Sequence, residues 1–156
     1  MRQLTSAERA ILPPPLAAGV DFDAVRILGR AHNPYAALML ISVVRGARIF
    51  WPGAPEEAAS VTERAHLAHE LVHVWQYQAL RRSGLELLFS RVYRYRVDPA
   101  RTFLSYGYEQ QAAIVEDYVR LTAGAPARWA LLASPVWDYE RVIASAPLLA
   151  NHSSAD

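Results

Sequence analysis

The most regular pattern of apolar positions runs from Ser60 to about Leu80. Apolar residues recur there at helical spacing, at Val61, Ala65, Ala68, Leu71, Val72, Trp75 and Ala79. Ser60 and Glu63 have the types and spacing of a capping box at the start of this segment. Gly84, which follows two Arg residues, supplies a stop signal. The pattern therefore predicts a helix of about twenty residues with its apolar side against the core.

A second helical pattern covers residues 108–118 and closes near Gly124, which takes the position expected just after a helix. A shorter helix is predicted near the start of the chain, where Thr5 and Glu8 form another capping box. The run Pro13–Pro15 ends that helix. Two more helices are predicted over residues 85–90 and 136–144.

Segments rich in β-branched and aromatic residues predict three strands, over residues 24–28, 38–44 and 47–51. Arg45 and Gly46, between the second and third segments, predict a hairpin turn. The stretch through Asn33 and Pro34 predicts a loop, and residues 93–96 alternate in a way typical of extended backbone. A helix, then three strands, then further helices is the order of a small α+β domain.

Length and composition indicate one folded domain. The chain has 156 residues, of which 53% are hydrophobic, so it can bury a substantial core and is not disordered. We expect a single domain over residues 1–150, followed by a polar tail over residues 151–156. The net charge of +1 predicts no strong attraction to nucleic acid or to an anionic membrane surface.

The sequence also limits which residue types can bind a metal and where in the cell we expect the protein. It contains no Cys, which excludes disulfides and thiolate ligands and leaves His and carboxylate groups to bind a metal. No Sec signal peptide is visible, and the longest apolar run, residues 36–44, is too short to span a bilayer. We therefore expect a cytoplasmic protein, with export by a contractile secretion machine as an alternative that needs no such signal.

The sequence His69-Glu70-Leu71-Val72-His73 lies near the middle of the predicted long helix. Residues four apart lie on one face of a helix, so the imidazoles of His69 and His73 can bind one metal ion together. Glu70 lies beside them, where it can accept a proton from a water bound to that metal. The motif predicts a zinc hydrolase. The alternative is that both His residues are ordinary core or surface residues.

Two imidazoles leave a catalytic zinc one protein ligand short, and the second predicted helix offers acidic residues that can complete the set. Glu109, Glu116 and Asp117 fall on or near one face of that helix. We favour Glu109 as the third zinc ligand and expect Glu116 or Asp117 to hold a ligand imidazole by its other ring nitrogen. The alternatives are Glu116 as the ligand, or all three as solvated surface acids.

Together these residues resemble the gluzincin branch of the zincin-like metallopeptidases and, more narrowly, small bacterial Vgr-related and Rhs-associated zincin-like domains. The resemblance spans residues 4–122 and rests on the segments at 4–8, 23–27, 69–76 and 109–112. It implies a zincin-like fold, a small mixed sheet of about three strands packed on the HExxH helix and on the third-ligand helix. It also implies that His69, His73 and Glu109 bind Zn²⁺. Glu70 would then be the general base.

The chain departs from this family's pattern at one position. The best-known gluzincins place an acidic residue four positions after the ligand Glu, where this chain has Ala113. The next acids are Glu116 and Asp117. The choice of the third ligand and of the residue that supports the imidazole therefore stays open.

Peptide hydrolysis also needs groups that bind the substrate and stabilise an oxyanion. Tyr106, Tyr108 and Tyr118 flank the predicted ligand helix and are candidates for the oxyanion, as is an Arg from residues 93–96. In zincin-like folds an edge strand above the metal holds the substrate in extended form. We expect Ala47, Arg48, Ile49, Phe50 and Trp51 to form that strand. The alternative for both groups is ordinary packing.

Two functions are consistent with the sequence. The first is a zinc-dependent metallopeptidase that hydrolyses bonds in a peptide or protein substrate. The second is a catalytically inactive zincin-like module that works as a binding partner or adaptor in a bacterial secretion or toxin system. Glu70 favours the enzyme, because a pure binding module does not need a general base. Neither function involves nucleic acid or membrane, and a secretion-system or toxin protein is the expected protein partner.

Overall fold

The computed structural model describes residues 1–81 and 91–148. The helix predicted over residues 85–90, the stop at Gly84 and the tail over residues 151–156 lie outside the described residues. The elements are α1 (Ser6–Arg9), α2 (Pro14–Ala17), β1 (Arg26–Leu28), α3 (Pro34–Met39), β2 (Val43–Arg45), β3 (Arg48–Phe50), α4 (Val61–Gln78), a 3₁₀ turn (Phe103–Ser105), α5 (Tyr108–Thr122) and α6 (Val136–Ala144). The predicted α+β class is confirmed. No described helix is both long enough and apolar enough to cross a bilayer.

The three strands form one small mixed sheet in the order β1–β3–β2. β1 pairs with β3 in parallel and β2 pairs with β3 antiparallel, so that Ile49 lies between Ile27 and Val44. These three residues are buried and give the sheet an apolar face toward the core. Gly46 begins the two-residue turn from β2 to β3 with a φ of +60°, which glycine adopts without steric cost. The predicted hairpin is therefore present.

Residues 38–44, predicted as one strand, are divided between a helix and a strand. Asn33 caps α3, because its side-chain oxygen accepts a hydrogen bond from the Ala36 backbone N–H at 2.8 Å. Pro34 fits the first turn of the helix, because backbone N–H groups there have no partner within the helix and the N–H that proline lacks is not needed. This start signal outweighs the β-propensity of the residues that follow. The strand prediction is thus wrong for the first part of the segment and holds only for Val43 and Val44. β2 continues to Arg45, so the prediction that Arg45 belongs to the turn is also wrong, and the turn is formed by Gly46 and Ala47.

Two short helices precede the sheet. The capping box predicted for α1 is present, with Thr5 Oγ1 accepting from the Glu8 backbone N–H and the Glu8 carboxylate accepting from the Thr5 backbone N–H. α1 ends before the three Pro residues, as expected. Pro14 also begins α2, which the sequence analysis did not predict, because proline is suited to the first position of a helix.

α4 runs through the middle of the domain and packs against α5. From Leu67 to Gln76 every residue of α4 is buried, so this part of the helix has protein on all sides. The polar residues within this stretch are His69, Glu70, His73 and Gln76. Buried polar groups are stable only when they are paired or hydrogen-bonded. Most of the partners of these side chains come from α5.

Candidate metal centre

His69 and His73 lie one turn apart on α4, with ring centres 4.9 Å from each other. Both side chains are buried. α5 brings Glu109 to the same face of α4. Oε2 of Glu109 lies 3.3 Å from Nε2 of His69 and 3.2 Å from Nε2 of His73. The structure therefore brings together the three side chains that the sequence nominated as metal ligands.

The donor set of these three residues fits a zinc ion. Each residue offers one ligand atom, and these atoms lie within 4.8 Å of one another. Tetrahedral zinc binds imidazole nitrogen and carboxylate oxygen at about 2.0–2.2 Å, which separates neighbouring ligand atoms by about 3.3–3.6 Å. The distances from the Glu109 oxygen to the two imidazole nitrogens are close to this spacing. The cluster can therefore hold a metal with little rearrangement.

Glu116 holds the other ring nitrogen of His69. Nδ1 of His69 lies 3.0 Å from Oε2 of Glu116. The same carboxylate accepts hydrogen bonds from the Trp129 indole N–H at 2.7 Å and from the Arg128 guanidinium at 3.3 Å. Because an ionised carboxylate can only accept, Nδ1 of His69 donates a hydrogen bond to Glu116, and Nε2 is the nitrogen that faces Glu109. Of the two acids, Glu109 has the metal-facing position and Glu116 the supporting one.

His73 is held at its outer nitrogen by an amide. Nδ1 of His73 lies 2.8 Å from Oε1 of Gln76. The amide nitrogen of Gln76 donates to the Tyr108 carbonyl and to the Gln111 side-chain oxygen, both at 3.0 Å. These two acceptors fix the orientation of the amide, so its oxygen faces the imidazole. Sequence analysis missed Gln76, although an amide three residues after a ligand His in an apolar stretch is a usable signal.

Burial and hydrogen bonding act in opposite directions on the charges of this cluster. Burial lowers the pKa of His69, but its hydrogen bonds to Glu109 and Glu116 raise that pKa to about 10. Burial raises the pKa of the Glu109 carboxyl, but hydrogen bonds from His69 and His73 lower it to about 2. Glu109 is therefore ionised at neutral pH, which is the state that binds a cation, whereas His69 is protonated at both ring nitrogens and would release the Nε2 proton on binding one.

Asp117 makes no hydrogen bond to either imidazole, so the expectation that it holds a ligand ring is wrong. Its carboxylate accepts hydrogen bonds from the backbone N–H groups of three consecutive residues, 128–130, and from the Tyr95 hydroxyl. Successive residues of a helix point about 100° apart, so Asp117 cannot share the direction of Glu116. Asp117 instead holds residues 128–130 in place. This segment carries Arg128 and Trp129, which donate hydrogen bonds to Glu116.

Glu70 lies beside the cluster on the wall of a cleft. The residue is 5% exposed. Burial lowers the pKa of the neighbouring His66, so this imidazole is neutral at neutral pH. Nε2 of His66 lies 3.7 Å from the Glu70 carboxylate. That nitrogen also lies 2.8 Å from the Ser42 hydroxyl. Among the described residues, none donates a hydrogen bond to the Glu70 carboxylate, so this group can exchange a proton with a molecule in the cleft.

The cleft has a volume of about 600 Å³ and is formed by the region of α3, by β2 and its turn, by α4 and by the segment after residue 90. The lining residues are Asn33, Tyr35, Ala36, Ile41, Ser42, Val43, Val44, Arg45, Gly46, His69, Glu70, His73, Tyr77, Arg91, Tyr93 and Glu109. Four of the predicted site residues, the two His, Glu70 and Glu109, therefore line the same cleft as a strand, β2.

The strand that lines the cleft is β2. The expectation that Ala47, Arg48, Ile49, Phe50 and Trp51 form the substrate-binding edge is wrong, because β3 occupies most of that segment and is paired on both sides. The hairpin folds β2 against one side of β3, and β1 pairs with the other side. Among the described strands, β2 has no partner on the side away from β3. β2 is therefore an edge strand, and it lies at the cleft.

Comparison with known proteins relates the chain to bacterial type VI secretion. No protein-family model matches it. The chain is 26% identical over 129 residues to the type VI secretion system spike protein VgrG2b of Pseudomonas aeruginosa, in an alignment that covers 75% of this chain and 13% of that protein. It also matches the solved effector domain of VgrG2b, with a TM-score of 0.69, 22% sequence identity, and coverage of 94% of this chain and 83% of that domain.

These likenesses confirm the expected relationship to Vgr-related bacterial proteins. The chain shares the fold of the VgrG2b effector domain. It spans only 13% of the length of the spike protein that it matches. The matched region is thus a small part of a much longer protein.

The three Tyr residues proposed for the oxyanion have different surroundings. The Tyr106 hydroxyl accepts a hydrogen bond from the Asp98 backbone N–H at 2.9 Å, away from the metal-facing atoms. Tyr118 lines a separate groove beside α1 and α2. The expectation is therefore wrong for Tyr106 and Tyr118, because the fold directs them elsewhere. Tyr108 stacks on His73, with ring centres 4.7 Å apart, and so packs directly against a predicted ligand.

Tyr93 is the aromatic residue at the site that sequence analysis missed. Its ring stacks between His69, at 5.9 Å, and Trp129, at 4.8 Å, and its side chain lines the cleft. Burial, together with the nearby carboxylates of Glu109 and Glu70, raises the pKa of its hydroxyl to about 12. The hydroxyl is therefore protonated at neutral pH and can donate a hydrogen bond. Nothing in the local sequence indicates this contact with a residue on α4.

Proposed function

We propose that this chain is a zinc-dependent peptidase domain that acts in a bacterial type VI secretion system. The observation that carries the proposal is the convergence of His69, His73 and Glu109 at a cleft that Glu70 also lines. Three protein ligands leave one zinc position for water or substrate, which is typical of catalytic zinc sites. A structural zinc site would be closed by four ligands, and in the described residues no fourth His or acid joins the group.

When bound, zinc supplies Lewis acidity, which polarises the scissile carbonyl and lowers the pKa of the attacking water. Glu70 accepts a proton from this water as the water oxygen bonds to the carbonyl carbon. When the C–N bond breaks, Glu70 returns the proton to the leaving nitrogen. One water is consumed, and a carboxylic acid and an amine are released.

Other side chains orient the reacting groups. Glu116 and Gln76 hold the imidazoles at Nδ1, which keeps both Nε2 atoms directed at the metal position. Tyr93 has the role of oxyanion stabiliser, which we expected of a different Tyr. Its protonated hydroxyl belongs to the same cleft wall and can donate a hydrogen bond to the developing oxyanion.

A peptide is the substrate class that this cleft favours. β2 lines the cleft and is an edge strand, so an extended peptide can pair with it through main-chain hydrogen bonds. Such pairing would place the scissile bond next to Glu70 and the metal-ligand cluster, because all of them border the same space. Side chains around the cleft would then select the peptide.

The relatives supply the biological setting of the proposal. One is named a type VI secretion system spike protein, and the solved structure is named an effector domain. We infer that this chain is likewise an effector domain and that its protein partner is a component of the secretion system. Export by that route requires no Sec signal, so the cytoplasm would be where the protein is made and not where it acts.

A second function, a metal-holding module without catalysis, is favoured by the relatives' names. Those names describe a spike protein and an effector domain and mention no reaction. In such a module the metal would tie α4 to α5, and the cleft would bind a partner. This function gives no reason for a buried Glu70 to which no described residue donates a hydrogen bond, since burying a carboxylate is unfavourable.

Peptide hydrolysis by the zinc-loaded chain separates the two functions. The wild-type protein, purified without a His tag, should cleave members of a peptide library. Glu70→Gln should retain zinc and lose about 10²–10⁴-fold of the rate. Glu56→Gln, at an exposed acid away from the cleft, is the matched control and should behave as wild type. If fully zinc-loaded protein cleaves no peptide, the peptidase proposal fails and the binding module stands.

A further inference from the structure

The cleft beside the metal-ligand cluster has two chemically different ends. Near the start of β2, the Ser42 hydroxyl lies 2.8 Å from Nε2 of His66, which is one turn before the first predicted ligand. At the end of β2, the Arg45 guanidinium lies 3.5 Å from the hydroxyl of Tyr77, which is one turn after the second. β2 therefore runs along α4 and passes the predicted metal ligands between these two ends.

The end near Ser42 is apolar. Tyr35, Ala36 and Ile41 line the cleft there. Tyr35 also belongs to an exposed group that we call the apolar rim. The rim consists of Tyr35, Leu38, Met39 and Leu40, which lie on α3 or at its C-cap and are 54%, 81%, 53% and 78% exposed. Large apolar side chains exposed on a short helix that lines a cleft are typical of a binding surface.

The other end, near Arg45, carries positive charge, because this exposed guanidinium lines the cleft. Arg91 also lines the cleft and is exposed. In the described ranges, the acids of the lining are Glu70 and Glu109, and both are buried at the metal-ligand cluster. Among the described residues, no acid that lines the cleft pairs with Arg45 or Arg91. The exposed end is therefore complementary to a negative group on a bound molecule.

We propose that the cleft selects an extended peptide with a large apolar side chain on one side of the scissile bond and an acidic side chain on the other. The selectivity rests on the proposed peptidase function. The apolar side chain packs on the apolar rim, and the acid pairs with Arg45. A strand rises about 3.3 Å per residue, so the length from Ser42 to Arg45 corresponds to about three residues of bound peptide.

Peptide binding to the Glu70→Gln chain tests this selectivity without turnover. Fluorescence anisotropy is measured, with and without zinc, for labelled peptides that carry Leu and Glu three positions apart in either order. One order should bind best. Replacing its Leu by Ser should weaken binding about tenfold or more, and replacing its Glu by Gln should weaken it about fivefold.

Surface variants connect each preference to its side chains. Arg45→Gln should abolish the preference for the Glu peptide over the Gln peptide. The double change Leu38→Ser and Leu40→Ser should abolish the preference for Leu over Ser. Arg141→Gln and Leu132→Ser, at exposed positions outside the cleft lining, are the matched controls and should change neither preference.

The outcomes distinguish this selectivity from the peptidase itself. Selective binding that depends on Arg45 and the apolar rim supports the proposed selectivity. If the wild-type chain binds selectively but cleaves no peptide, only the peptidase function is overturned. Binding or cleavage without either preference overturns the selectivity and leaves the peptidase. Failure of every peptide to bind also overturns it. A change of oligomeric state in the Leu38 and Leu40 variant overturns it too, because a second copy would then cover the rim.

Discussion

The two imidazoles of the metal-ligand cluster differ in the group that holds their outer nitrogen. His69 is held by the carboxylate of Glu116, and His73 by the amide of Gln76. A carboxylate fixes the ring orientation and also raises the basicity of the imidazole, whereas a neutral amide mainly fixes orientation. Glu116 should therefore matter to metal affinity although it does not face the metal position.

Substitution of each acid tests these separate roles. Glu109→Gln removes a ligand and should abolish tight zinc binding. Glu116→Gln keeps a hydrogen-bond acceptor next to His69 and should weaken zinc binding by about 10–100-fold. Competition with a chelating dye measures both affinities, and Glu140→Gln, exposed on α6, is the control. If Glu116→Gln lost more zinc affinity than Glu109→Gln, Glu116 would be the zinc ligand and Glu109 the residue that supports an imidazole.

Glu8 allows a residue-scale test of pH dependence away from the cluster. Burial raises its pKa, but hydrogen bonds from the Arg2 guanidinium and from the backbone N–H groups of Ala58 and Thr5 outweigh burial and lower the pKa below the usual 4.5. A lowered pKa means that the folded state favours the ionised form. Its stabilisation is complete above pH 4.5 and disappears as the pH falls through the lowered value.

We therefore expect Glu8→Gln to lower the free energy of unfolding by about 2 kcal/mol at neutral pH. The difference from wild type should shrink as the pH falls below 4.5. Urea unfolding at several pH values measures this, and Glu56→Gln, at an exposed acid on the neighbouring loop, is the control. A difference that is constant over this range would contradict the charged role of Glu8.

At the residue scale, the sequence predicts which side chains share a face of one helix, but not which side chains from distant segments meet. The helical repeat is enough to place His69 and His73 on one face. It cannot distinguish the neighbours Glu116 and Asp117, because their roles depend on where residues 128–130 pass. Tyr93 was missed for the same reason, since its stacking on His69 requires two segments that are far apart in the chain.

At the scale of elements, α2 meets α4 at a glycine. A Cβ on Gly19, just after α2, would lie 2.7 Å from Nε1 of Trp75 and 3.1 Å from the Cβ of Ala79. Trp75 is fully buried in the middle of the core and has little room to move. The close approach of the two helices therefore requires the absence of a side chain at this position.

Gly19→Ala should destabilise the protein by about 1–3 kcal/mol through overpacking. Gly29→Ala is a matched control, because a Cβ there meets nothing within 4 Å, and its effect should stay within about 0.5 kcal/mol. Thermal and urea unfolding give both values. Equal stability of the two variants would show that α2 does not pack on α4 as described.

Elements with a long repeat and clear end signals were predictable from the sequence. α4, α5 and α6 begin and end close to the predicted residues. Short elements were less predictable, because a single cap decides them. Asn33 and Pro34 turn an apolar, strand-like stretch into α3. The order of the strands was not predictable either, because the pairing of β1 with β3 joins distant residues and leaves β2 at the edge.

At the scale of the whole molecule, the metal-ligand cluster joins the two long helices of the core. Two predicted ligands lie on α4 and the third lies on α5, so a bound ion would cross-link the helices that pack most closely. An ion that binds only the folded state stabilises it by mass action, by about 2.7 kcal/mol at a free concentration 100 times Kd. Metal removal should therefore be visible in global stability.

Chelation should lower the Tm of the zinc-loaded protein by several degrees. His69→Ala should abolish this shift, because it removes one predicted ligand. His32→Ala, outside the cluster, should preserve it. Differential scanning calorimetry with and without chelator provides the comparison. An unchanged Tm after complete metal removal would contradict a tightly held ion that bridges the helices.

The likeness to the VgrG2b effector domain extends over 94% of the chain, which includes the cleft and the metal-ligand cluster. Within that fold, the proposed zinc site depends most on three atoms, Nε2 of His69, Nε2 of His73 and Oε2 of Glu109. X-ray absorption at the zinc edge, on the zinc-loaded chain and on Glu109→Ala, tests that set directly. We predict two imidazole nitrogens and a carboxylate oxygen at about 2.0–2.2 Å from zinc, with the carboxylate lost in the variant. A spectrum without imidazole scattering, or one unchanged in Glu109→Ala, would contradict the account.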